Sequence, residues 1–113
     1  MTPEIFRKLA LQLPGACEGE HMGHADFRVR GKIFATLGYP TVEFAVLLLS
    51  PEDQATYIKA EPATFSPVKG GWGRRGSTTV HLKNARPKSI VSALQVAWKR
   101  KAPKTRAARA VKG

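Results

Sequence analysis

No aspartate or glutamate occurs between Pro62 and Gly113, almost half of this 113-residue chain. That stretch holds 13 lysines and arginines, whereas the first 61 residues hold 6 against 8 acids, so the formal net charge of +11 is +13 in the second part offset by −2 in the first. An acid-free stretch of this length repels its own folded state unless counter-charge is supplied, and the usual supplier is a polyanion such as nucleic acid. Cysteine is nearly missing too. Cys17 alone excludes an internal disulfide and a multi-cysteine zinc site, and it fits a reducing cytoplasm. The longest apolar run, Phe44 to Leu49, is far shorter than a membrane span. Leu13 to Cys17 faintly resembles a lipoprotein cleavage site, but the apolar stretch before it is too short and is broken by Gln12. The expectation is a cytoplasmic protein with no signal peptide, no membrane partner and no cofactor.

What is present suffices for one small domain. The hydrophobic fraction, 42%, is ordinary for a globular chain. Thr2 and Pro3 predict a helix start, Ile5, Phe6, Leu9 and Leu13 share one helical face, and Pro14-Gly15 stops it. A polar run from Glu18 to His24 follows. Asp26 to Val29 and Lys32 to Leu37 predict a hairpin closed at Arg30-Gly31. After a turn at Gly38 to Pro40, Val42 to Leu49 is the strongest strand, with Val42, Phe44, Val46 and Leu48 on one face.

Ser50 and Pro51, with Glu52 and Asp53 in the first turn, predict a helix to about Ala60. Phe65 to Val68 leads into a glycine-rich loop, and Thr78 to Leu82 alternates as a strand. Pro87 opens a last helix whose core stripe is Ile90, Val91, Leu94, Ala97 and Trp98. Short turns between strands imply an antiparallel sheet with helices packed on one face, a two-layer α+β domain over residues 1–101. Residues 102–113 carry basic side chains and Pro103, with Val111 the only large apolar residue after Ala102, which predicts a disordered basic tail.

Four constellations bear on chemistry. In the glycine segment, Gly71 and Gly76 have the spacing of a phosphate loop, but Ser77 stands where its lysine belongs and a strand follows instead of a helix, which argues against nucleotide binding. The segment reads either as a turn with Trp72 folded onto the core, or as a wing. In a wing, Lys69, Arg74 and Arg75 meet phosphates while Trp72 braces the loop or stacks on a base. In the hairpin, Arg28 and Arg30 share a strand face with Lys32 just across the turn, which reads as a solvated face or as a second wing. Glu18, Glu20, His21, His24 and Asp26 hold metal-ligand types, but His21 and His24, three apart in turn and strand, are expected on opposite sides, and a polar hairpin edge is the plainer reading. The basic end, Lys99, Arg100, Lys101, Lys104, Arg106 and Arg109, reads as a solubilising terminus or as an arm that anchors on DNA without reading sequence. Cys17 and His21 do not form a recognisable dyad, so no catalytic residues are assigned.

Several of these pieces in order resemble the MmcQ/YjbR family. They are Leu13-Pro14-Gly15, Glu18 to His21, Asp26 to Val29, Gly31 to Ala35, then Phe65, Pro67 and Val68, Gly71-Trp72-Gly73 with Gly76, and Ala97-Trp98. The likeness spans about residues 3 to 100. It implies a frataxin-like (CyaY-like) two-layer fold with a double-wing arrangement suggestive of DNA binding, and it supplies no catalytic residues. An acidic helix ridge of the kind that suggests iron binding in frataxin is missing, since Glu4 of the first helix stands beside Arg7 and Lys8. The expectation is a non-enzymatic DNA-binding protein, with weak sequence preference and no metal. The alternative is a protein-interaction or small-ligand module whose basic surface is incidental.

Overall fold

The computed structural model describes residues 1–102, and the expectations for Lys104, Arg106 and Arg109 lie outside them. In chain order the elements are α1 (Pro3–Leu11), β1 (Ala16–His21), β2 (His24–Val29), β3 (Lys32–Leu37), β4 (Phe44–Leu48), α2 (Pro51–Ala60), β5 (Phe65–Pro67), α3 (Gly71–Arg74), β6 (Ser77–His81) and α4 (Pro87–Lys101). The strands form one antiparallel sheet in the order β1-β2-β3-β4-β6-β5. One face carries α1, α2 and α4, the two-layer α+β arrangement expected.

Local chemistry sets these boundaries. The Thr2 hydroxyl accepts from the Ile5 amide at 3.2 Å, and the Ser50 hydroxyl accepts from the Asp53 amide at 3.0 Å. Each N-cap satisfies an amide that the first helical turn leaves without a partner. Arg30 and Gly31, at φ 54° and 78°, close the β2–β3 hairpin in the conformation that two-residue hairpin turns require. A register shift between Phe27 and Arg28 turns both Phe34 and Ala35 into the core. There they join Phe6, Phe27, Leu47, Phe65, Val80, Ile90 and Leu94.

The structure differs from expectation in six respects. The polar run is an edge strand, β1, and Phe65–Pro67 is a strand on the opposite edge. The glycine segment contains a helical turn, α3. Val42 lies outside β4 and is 73% exposed. The core face of β4 belongs to Ala45 and Leu47, continued by Leu49, while Phe44, Val46 and Leu48 point to the helix-free face. In α4 the stripe shifts: Ala93 is buried, Val91 is exposed, and Trp98 is half-buried with its indole N–H donating to the Pro14 carbonyl at 2.8 Å.

Candidate functional site

Antiparallel pairing decides which residues share an end of the sheet. Val29, at the end of β2, pairs with Lys32 at the start of β3, and Ala16 of β1 pairs with Val29. Leu48, at the end of β4, pairs with Ser77 at the start of β6, and Pro67 of β5 pairs with Thr78. The Arg30-Gly31 turn and the segment from Lys69 to Gly76 therefore project from one end. The last turn of α4 joins them, because Arg100 donates to the Leu48 carbonyl at 2.9 Å.

Eight cations gather there: Arg30, Lys32, Lys69, Arg74, Arg75, Lys99, Arg100 and Lys101. Two acids, Glu52 and Asp53, enter with the start of α2. The opposite end is mixed, with Lys59, Lys83, Arg86 and Lys88 against Glu4, Glu43 and Glu61. Among the described residues, the acid-free half of the sequence thus becomes one charged end only in part. The β2–β3 hairpin and the glycine segment also sit close together across the sheet. Only β4 separates β3 from β6, which places their axes roughly 10 Å apart.

The electrostatics of this end show crowding. Burial, then Arg100, then Lys32 push the Lys101 ammonium below the ordinary lysine value. Lys32 and Lys101 therefore share a field although they are far apart in sequence, and a bound anion would relieve their repulsion. Arg28 behaves differently. Its Nε and Nη2 donate to the two oxygens of buried Asp26 at 2.8 and 3.0 Å. That hydrogen bonding, with the carboxylate charge second, holds the guanidinium above its ordinary value. Gly19 makes room for the pair, since a β-carbon there would lie 2.9 Å from Asp26 Oδ1. Arg28 is thus a neutralised side chain on the helix-free face and does not stand with Arg30 and Lys32 as expected; those two are the exposed cations of the hairpin.

The glycine segment is braced by its backbone. The Gln54 side-chain amide donates to the carbonyls of Gly73 and Ser77, each at 3.0 Å. Gly73 packs on the Val68 carbonyl and Gly76, at φ 114°, on the Leu49 carbonyl, so closely that a β-carbon would lie at 1.7 and 2.0 Å. These glycines serve close backbone approach. Trp72 is 65% exposed, which overturns the reading that folds it onto the core, and the Arg75 guanidinium carbon sits 5.6 Å from its ring centroid. The helix-free face and the far end offer less. His21 and His24 pair directly across the Met22-Gly23 turn, on one side of the sheet and not on opposite sides. Among the described residues no group of three His, Cys, Asp or Glu side chains converges for a metal, and no helix is long and apolar enough to cross a membrane.

The profile of the YjbR family matches residues 11–100. The chain belongs to the YjbR family. The match covers every strand and α4 up to Arg100, so this YjbR protein shares with its family the scaffold from which the basic end projects. No curated protein matches the chain. The cations of this end are visible in the sequence. The Gln54 brace and the Asp26–Arg28 pair are not, since their only signals are a polar residue on a helix and an acid two positions before an arginine.

Proposed function

We propose that this YjbR protein is a non-enzymatic nucleic-acid-binding protein that holds DNA mainly by its phosphate backbone. The observation that supports the reading best is the gathering of eight cations at one end of the sheet, where burial first, and then Arg100 and Lys32, hold the Lys101 ammonium below its ordinary value. Arg30 and Lys32 form one contact, Arg74, Arg75 and Lys69 a second, and Lys99 to Lys101 a third between them. Lys104, Arg106 and Arg109 continue the same charge beyond the described residues. Contacts of this kind position a nucleic acid without reading its sequence.

The test is fluorescence anisotropy of a labelled duplex with the full chain across a salt series. Counterion release gives a slope of about −0.9 in log K against log salt for each phosphate neutralised. Arg74→Ala/Arg75→Ala should weaken binding and flatten that slope by about two phosphates' worth. Binding that is absent, or indifferent to salt, would reject the proposal. A protein-interaction role is the second reading. It is favoured by the apolar tips at the opposite end, where Met22, Val42 and Tyr39 are 82%, 73% and 49% exposed. An interface there would respond little to salt.

A further inference from the structure

Exposed Trp72 is the feature of the basic end that phosphate contacts do not explain. A single exposed apolar side chain is ordinary by itself, but this one is presented on a fixed support. The α3 turn closes on itself through the Arg74 amide and the Gly70 carbonyl at 3.2 Å. Gln54 clamps it from α2, and Gly73 lies flat on the Val68 carbonyl. The backbone under the indole therefore has little freedom to fold the ring away. Arg75 lies over the ring, which makes it a cation-backed aromatic plane, and the 65% exposure leaves much of it facing solvent.

We infer that Trp72 is a stacking platform for an unpaired base, and that the preferred ligand of the basic end is single-stranded nucleic acid. This inference rests on the nucleic-acid reading above and sharpens it. In a duplex the base faces are stacked on one another and only edges reach the grooves. An indole on a four-residue helical turn has no such edge to read, and it carries no donor pair for a base. A single strand offers free base faces at every nucleotide, and aromatic planes beside cations are the usual means of holding it. Arg74 and Lys69, exposed on either side of Trp72 in sequence, meet the flanking phosphates. The site therefore tolerates any base and distinguishes strands by whether a base is free.

The experiment uses the full chain with three labelled ligands: a twelve-nucleotide oligothymidylate, an abasic strand with the same number of phosphates, and a twelve-base-pair duplex. The unmodified protein should bind oligothymidylate more tightly than either of the others. Trp72→Ala should weaken binding of oligothymidylate roughly tenfold to a hundredfold, the range of one lost base–aromatic stack. It should leave the abasic strand, the duplex and the salt slope unchanged, and Trp72→Phe should keep most of the affinity. Oligothymidylate should also quench indole emission in the unmodified protein and not in Trp72→Ala, where Trp98 alone emits. An equal loss on all three ligands, or no loss on oligothymidylate, would overturn the inference while leaving phosphate binding intact. Failure of every ligand to bind would overturn both.

Discussion

Replacing Gly73 by alanine separates helix propensity from tertiary packing. Gly73 is the third residue of the four in α3, and by propensity alone alanine in a helix gains about 1 kcal/mol over glycine. The structure predicts the opposite sign. The new β-carbon would stand 1.7 Å from the Val68 carbonyl oxygen and 2.8 Å from its carbon. Carbon and oxygen without a covalent link settle at about 3.3 Å, so two backbone segments must part by about 1.5 Å. Neither can do so freely. Val68 is tied to the Ser77 carbonyl at 3.0 Å, and Gln54 ties Gly73 to Ser77.

Overpacking of this kind costs about 1–3 kcal/mol, and each strained hydrogen bond adds about 1 kcal/mol. A net loss of about 2–4 kcal/mol lowers Tm by roughly 10–20 °C in a domain of this size. Urea and thermal unfolding followed by circular dichroism measure it. Gly71→Ala is the matched control, because its β-carbon meets only the ends of Arg74 and Arg75 at 3.8 and 3.9 Å. That variant should stay within about 0.5 kcal/mol of the parent. A Gly73→Ala protein as stable as Gly71→Ala would refute the claim that close backbone approach fixes the loop.

Three further outcomes follow from the charges. Arg28→Gln should leave the salt slope of DNA binding unchanged, because Asp26 already holds that guanidinium; a slope reduced as much as in Arg74→Ala would place Arg28 at the interface. Lys101 should titrate below the other lysines in side-chain NMR, and Lys32→Gln should raise its midpoint. Its depressed folded value means that the unfolded chain binds the proton more tightly, so this group opposes folding at neutral pH and the penalty fades as pH rises through the folded value toward the unfolded one. Added oligonucleotide should raise the Lys101 midpoint, and no movement would separate Lys101 from the bound phosphates.

The readable parts of the sequence were those where one physical signal dominated. Thr2 and Ser50 marked helix starts through capping, Arg30-Gly31 marked the hairpin through its turn, and Phe27 and Val29 marked the core through alternation. β1 escaped because an edge strand owes little to apolar burial. Glu18, Gly19 and Glu20 have no alternation to read, and the need for Gly19 arises from Asp26 on the neighbouring strand. The core face of β4 escaped because Phe44 to Leu49 is apolar on both sides, and only the pairing of Ala45 with Val80 decides it. The cations of the candidate site were visible as composition. Their division into paired Arg28 and exposed Arg30, Lys32, Arg74 and Arg75 was not, because it depends on contacts that form only in the fold. The exposure of Trp72 was equally hidden, since nothing local distinguishes a tryptophan laid on a core from one held above it by Gln54.

Amide and side-chain NMR of the full chain titrated with an oligonucleotide tests the location of the interface most directly. Shifts should concentrate at Arg30 to Lys32, Lys69 to Arg75 with the Trp72 indole, and Lys99 to Lys101. Met22, Tyr39, Val42 and the Arg28 side chain should stay still. Shifts centred on the opposite end or on the helix-free face of the sheet, or no shifts at low salt, would contradict that location.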